Sequence, residues 1–296
     1  MTRASSRRAE AIAGTLLALP AFILMWLMLL GPAVAVGLLS LTDWNFGEPR
    51  IGFAGFENYA ELWGDRVFWI SLRNTAIYVG ISVPATVGLG LLAAIAIENT
   101  GRGRGFYRAA YFLPVASTLL AMALVWEFMF HPSVGFVNQA FRAVGLPTTD
   151  WLQNPDTALF ALAAIGVWQN LGLAMVLFMA GLKAIPPDLY EALAVDGADG
   201  GWERFRRVTW PMLGPALVFV VAIIAIRSFQ VFDTVAVLTE GGPSKSTEVL
   251  LYTMVQQGFT FLRSAYGAAI TVVFLALTLV VTLAQTAVLD RRAHYS

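Results

Sequence analysis

The chain has 296 residues, 58% hydrophobic and 13% charged, with zero formal net charge and no cysteine. A soluble domain of this size carries about 25% charged residues, so a water-facing surface, and equally a disordered chain, is excluded. Zero net charge removes the electrostatic case for nucleic acid, and the lack of cysteine excludes disulfides, thiolate metal sites and thiol nucleophiles.

A helix needs about 20 mostly apolar residues to cross hydrocarbon. Charge-free runs fall at Ala11–Thr42, Asn74–Ile97, Ala109–Trp126, Thr157–Leu182, Val208–Ile226 and Ser264–Leu289, predicting an all-α membrane protein with six transmembrane helices. Arg3, Arg7 and Arg8 precede the first run as in a secretory signal. That run far exceeds the about 7–15 apolar residues of a signal, so it is read as a retained span. Placing both termini and the 98–108 and 183–207 loops in the cytoplasm puts 12 of the 19 basic residues there, among them Arg102, Arg104, Arg108, Arg291 and Arg292. Positive-inside bias therefore orients both ends inward. No internal repeat and no low-complexity linker interrupts residues 1–296, which are read as a single transmembrane domain. The Gly-Arg-Gly-Arg-Gly run at Gly101–Gly105 has no strand before it and is a basic turn, not a phosphate loop.

Several chemistries are missing. Lys183 and Lys245 follow Leu182 and Ser244, so no Gly-Lys of a nucleotide-binding loop exists. His131 and His294 lie in different segments, with no zinc-binding spacing and no nucleophile placed beside them. Proton-coupled carriers keep carboxylates inside their spans, and these six runs hold none. A self-sufficient carrier or channel and a membrane-embedded enzyme remain the competing classes.

Residues 185–211 are unlike a simple connector. Pro187 and Asp188 signal a helix start, Leu189, Ala192 and Leu193 form an apolar face, and Gly197 can stop the helix in a left-handed conformation. A second short helix can begin near Asp199 or Trp202. The pair reads either as an amphipathic element on lipid or as a docking surface.

The residues Glu191, Ala192, Asp196, Gly197, Ala198, Phe205, Val208 and Pro211 resemble the Glu-Ala-Ala loop of permease subunits of bacterial ATP-binding-cassette importers. Leu193 stands for the second Ala, Trp210 for the Leu before proline, and one extra residue falls in Asp199-Gly200-Gly201. Gly55-Phe56-Glu57-Asn58-Tyr59, Asn74-Thr75, Arg108 with Phe112-Leu113-Pro114, Phe232-Asp233 and Leu238-Thr239-Glu240-Gly241-Gly242-Pro243 are similar to the carbohydrate-uptake branch, to the first permease of maltose- and glycerol-3-phosphate-type systems. The resemblance implies a non-enzymatic subunit of the bacterial inner membrane, with two short cytoplasmic coupling helices between spans four and five. It implies a heterodimer with a second homologous permease, two copies of a cytoplasmic ATPase that bind ATP and Mg, and an extracytoplasmic solute-binding protein. No cofactor is then expected in this chain. By the same resemblance Gly241, Gly242 and Pro243 contact the binding protein; the residues themselves show a tight turn.

Trp168, Gln169 and Asn170 fall midway through the fourth span. They read either as interhelical hydrogen bonding or as a pore-facing set with amides and an aromatic platform for sugar. Arg227, Gln230 and Asp233, three apart on the fifth span, form a polar stripe for the same pathway, or an interfacial set with snorkelling Arg227.

Overall fold

Within hydrocarbon a backbone N–H or C=O has no water to bond, so long apolar runs fold as helices. The computed structural model describes residues 3–198 and 200–290. Asp199, Arg291, Arg292 and His294 lie outside the described residues. The helices are α1 (Arg3–Met25), α2 (Gly31–Leu39), α3 (Glu57–Gly64), α4 (Arg66–Glu98), α5 (Arg104–Ala116), α6 (Leu119–Met129), α7 (Phe136–Ala143), α8 (Ala158–Lys183), α9 (Pro187–Val195) and α10 (Gly201–Arg204). They continue with α11 (Trp210–Met212), α12 (Gly214–Phe229), α13 (Asp233–Leu238), α14 (Leu250–Val255) and α15 (Ser264–Asp290). Single π-helical turns occupy Trp26–Leu30, Phe205–Thr209 and Gln256–Thr260. Among the described residues the only bridge pairs Thr42 with Phe53, so the all-helical class holds.

Among the described residues five helical segments are long and apolar enough to cross a membrane, or six with α5 and α6 taken as one bent span. The third run is therefore not one straight helix. Its two pieces bend by 104°, because Ser117 and Thr118 are both extended (ψ 146° and 133°). The second span starts about two turns before Asn74, at Arg66, where the Asp65 carboxylate caps by accepting the Val67 N–H at 2.7 Å. The fifth starts at Gly214, not Val208, since Phe205–Met212 form a π turn and a short helix ahead of it.

The chain divides into two compact units. The first, Met1–Gly64 with Met254–Val273, contains the span Ala13–Leu39, none of whose most apolar window is buried. A helix apolar on every side is built to meet lipid or another apolar chain. After it, Asn58 donates to the carbonyls of Ser40 and Thr42 at 2.9 and 2.8 Å. Arg263 donates to both Glu61 carboxylate oxygens, at 2.6 and 2.7 Å.

The second unit, Asp65–Thr253 with Phe274–Ser296, is organised round α8. Small residues let its backbone close on three neighbours. Gly166 lies against the Tyr78 hydroxyl of α4, Gly172 against the Tyr111 carbonyl of α5, and Gly181 against Ala216 of α12. A Cβ on Gly181 would stand 2.6 Å from that of Ala216, and one on Gly90 equally close to Ala174. Two apolar clusters result, one round Ala94, Met175, Phe178 and Ile224, the other round Tyr78, Leu162, Ile165 and Val235.

Gly172→Ala would press a methyl onto the α5 backbone and is expected to destabilise the folded chain by about 1–3 kcal/mol. Gly88→Ala, with nothing within 4 Å of the added carbon, is expected to be neutral. Thermal unfolding in detergent reads both, and equal Tm values would remove the packing role of Gly172.

Candidate functional site

Along α8 the sequence runs Gly166-Val167-Trp168-Gln169-Asn170, and one arc of it faces a polar pocket of about 370 Å³. Gln169 and Asn170 line it, with Arg227 and Gln230 from the end of α12 and Asp233 from the start of α13. All five are among the pathway candidates of the sequence, Gln169 and Asn170 on the fourth span as expected, whereas the other three do not share one helix. The polar stripe is not continuous: α12 stops at Phe229, Phe232 departs from helical geometry (φ −143°), and Asp233 opens a new helix. Asn170 spends one amide hydrogen on the Gly166 carbonyl of its own helix at 2.9 Å. Trp168 does not line the pocket. It packs edge-on to Trp126 with centroids 5.3 Å apart, beside Tyr111 and Pro114.

Three further polar side chains line the pocket that the sequence does not single out: Tyr78 on α4, Ser117 at the break between α5 and α6, and Thr234. The available signal was Pro114 followed by Ser117-Thr118 inside a charge-free run. Non-helical backbone at membrane depth is tolerated where it borders a polar cavity, as Ser117 does here. Among the described residues neither Arg227 nor Asp233 forms an ion pair within 4 Å. The pocket thus offers a guanidinium, a carboxylate and three amides to a polar occupant.

Residues 185–211 are the second candidate site. Pro187 takes the first turn of α9 with Asp188 beside it, and Gly197 ends the helix at φ 75°. The Ala198 N–H returns to the Leu193 carbonyl at 3.2 Å. Ile185, Leu193, Ala198 and Val208 are buried in the core. Glu191, Ala192 and Asp196 remain exposed. The Tyr190 and Thr209 hydroxyls meet at 3.0 Å, and the Arg204 guanidinium lies 5.0 Å over the Tyr190 ring. These ties join α9 to the π turn as one piece. Phe205 lies between two tryptophans, 5.7 Å from Trp202 and 5.9 Å from Trp210; Trp202 is 71% exposed. Behind the piece is a cavity of about 360 Å³ bordered by Glu98, Asn99 and Leu182.

The third expected site, Gly241-Gly242-Pro243, is a tight turn with a cis Gly242–Pro243 peptide. Gly241 has φ 80°, the Gly242 N–H bonds the Thr239 carbonyl at 2.7 Å, and Thr247 Oγ1 donates to the Gly242 carbonyl at 2.6 Å. Among the described residues no group of three His, Asp or Glu side chains is arranged to hold a metal ion.

Residues 86–294 match the family described as binding-protein-dependent transport system inner membrane component. The chain is 32% identical to the sn-glycerol-3-phosphate transport system permease protein UgpA of Agrobacterium fabrum, over 82% of this chain and 83% of that one. It is 35% identical to the trehalose/maltose transport system permease protein MalF of Thermococcus litoralis, over 80% of each. Its fold matches, at a TM-score of 0.80 and 21% identity, a chain in the crystal structure of a bacterial alginate ABC transporter in complex with an alginate pentasaccharide-bound periplasmic protein; the match covers 97% of this chain and 96% of that one.

With no native cysteine, single substitutions report on the pocket without background. Ser117→Cys and Gln230→Cys are expected to react with a water-soluble thiol reagent in membranes, and Ala174→Cys, at 0% exposure, to stay silent. Adding Arg227→Gln should slow an anionic reagent relative to a cationic one about threefold, the effect of one nearby unit charge in water. An unchanged ratio would place the guanidinium outside the pocket.

Proposed function

The chain belongs to the family of binding-protein-dependent transport system inner membrane components, and on that premise we propose that it passes a sugar, an oligosaccharide or a polyol phosphate through its polar pocket by alternating access. Membership makes it a multi-pass inner-membrane permease subunit of an ABC importer. One observation carries the substrate path: Gln169, Asn170, Arg227, Gln230 and Asp233 converge on one cavity of about 370 Å³. Amides, a guanidinium and a carboxylate together supply the donors and acceptors that hydroxyl groups need. The substrate class is taken from the relatives, one a carrier of glycerol 3-phosphate and one of trehalose and maltose by name.

The pocket is assembled from α8 on one side and the α12–α13 junction on the other. A rigid-body shift between those elements would open it to one face or the other, as in hinge and shear transitions. Energy for the shift enters from outside the chain, because no Gly-Lys nucleotide loop is present. In this reading ATP and Mg are held by two copies of a cytoplasmic ATPase that dock on Glu191, Ala192, Asp196, Gly197, Ala198, Phe205 and Pro211. The bonds between Tyr190, Thr209 and Arg204 make that loop a handle that moves as a unit. A second homologous permease completes the pore, and an extracytoplasmic solute-binding protein delivers substrate to the Gly241-Gly242-Pro243 turn. The loop and both termini then face the cytoplasm.

Reversing the Glu191 charge or placing proline at Gly197, where φ is 75° and proline requires about −65°, should leave an inserted chain that no longer retains the ATPase. Copurification and uptake are each expected to fall at least about tenfold, which is about 1.4 kcal/mol of docking energy. Normal values for both Glu191→Lys and Gly197→Pro would sink the coupling assignment. Orientation has its own check: Gly200→Cys should be shielded from an impermeant thiol reagent in intact cells and Ser244→Cys labelled, and the reverse pattern would invert the topology.

A further inference from the structure

The loop joining α13 to α14 holds three non-glycine residues in left-handed backbone: Glu240 (φ 51°), Ser244 (50°) and Lys245 (63°). Such residues persist only where their surroundings over-determine them. Here the surroundings are α4. Asn74, 7% exposed, donates its side-chain amide to two main-chain acceptors, Lys245 O at 3.0 Å and Glu248 O at 2.9 Å. Thr75 Oγ1 accepts the Leu250 N–H at 2.9 Å while donating to the Ser71 carbonyl at 2.7 Å. Glu248 is 3% exposed; its carboxylate accepts the Thr253 hydroxyl at 3.0 Å and pairs with Lys245 Nζ at 3.6 Å. The same carboxylate packs on Gly241, where an added Cβ would come within 2.5 Å of Oε2.

We infer that Asn74 is a positioning residue for engagement of the solute-binding protein: its amide holds the Gly241-Gly242-Pro243 loop in one shape and fastens it to α4. The inference rests on the transport reading above. A loop that ordered only on docking would lose part of its affinity to the entropy of ordering. The clamp removes that loss beforehand. Two carbonyls can share one side chain only if it presents two N–H donors, which Asn does. Asp has the same shape but presents an acceptor to both carbonyls, so it breaks the clamp without opening a cavity.

The test is ATP hydrolysis by the importer assembled in nanodiscs, titrated with its own solute-binding protein loaded with its sugar. For Asn74→Asp the half-stimulating concentration should rise about fivefold or more, the loss expected from two hydrogen bonds of ordinary net strength. Thr75→Val, which removes the acceptor for the Leu250 N–H along with the local bond to the Ser71 carbonyl, should shift it in the same direction by less, and serves alone if Asn74→Asp does not assemble. An unshifted half-point in the variants that assemble overturns the inference, while stimulation of the parent complex keeps the transport reading. Loss of basal and stimulated rates by one common factor, or failure of both variants to assemble, makes Asn74 a purely structural residue and also overturns it. A parent complex that the binding protein does not stimulate overturns both.

Discussion

Where the polar groups of the second unit stand depends on how closely α8 approaches its neighbours. Lipid chains are as apolar as leucine, so helices in a membrane gain little from hiding apolar surface against one another; close van der Waals packing has to hold them. Glycines 166, 172 and 181 each let a different neighbour reach the α8 backbone. Gly166 has a double consequence, because the Tyr78 hydroxyl that rests on it also borders the polar pocket. A larger residue at 166 would move the pocket wall as well as the helix. Packing and site geometry are one problem on this helix.

The break in the third span follows from the same economy. Extended backbone at Ser117 and Thr118 leaves main-chain groups without helical partners, a costly arrangement against lipid. It is placed at the pocket, where polar groups from α8 and α12 already gather. The α12–α13 junction repeats the device: the helix stops at Phe229 and resumes at Asp233, and both ends of that interruption line the cavity. Discontinuous helices round a midplane site are a recurring solution in transporters, since they bring main-chain and side-chain polarity to one point without exposing either to lipid.

Local signals explain what could be read from the sequence. The apolar runs, the Pro187-Asp188 helix start and the left-handed stop at Gly197 each depend on a few neighbouring residues. The pocket's amides were visible because Gln and Asn interrupt an apolar stretch. Trp168 adjoins them in sequence, but successive helical residues are turned by about 100°, which sends its ring to Trp126 instead. The bend after Pro114 was hidden because Ser and Thr carry no charge and fit a hydrophobic run. Asn74 stands out in the sequence only as part of a motif; its partners lie 171 and 174 residues further on, and no local pattern announces a bond of that span.

In the proposed mechanism the subunit takes up work at one surface and delivers it at another. α4 is the element placed to connect them. Asn74, near one end, is bonded to the loop joining α13 to α14. Glu98, at the other end, borders the cavity behind the 185–211 piece and pairs with Arg104 at 3.4 Å. The two lie about 36 Å apart along the axis at 1.5 Å per residue, and between them Tyr78 touches the pocket and Gly90 the α8 backbone. α4 is continuous between them but holds Pro84 in its interior, which removes one helical hydrogen bond, so a shift of one end would reach the other as a rigid-body movement or as a hinge at that proline. Coupling of this kind needs no relay of individual side chains; it needs a stiff element that both sites bias toward one of two packings against α8. The glycine contacts along α8 are where such a change of packing would be felt, since close-packed interfaces resist gradual deformation.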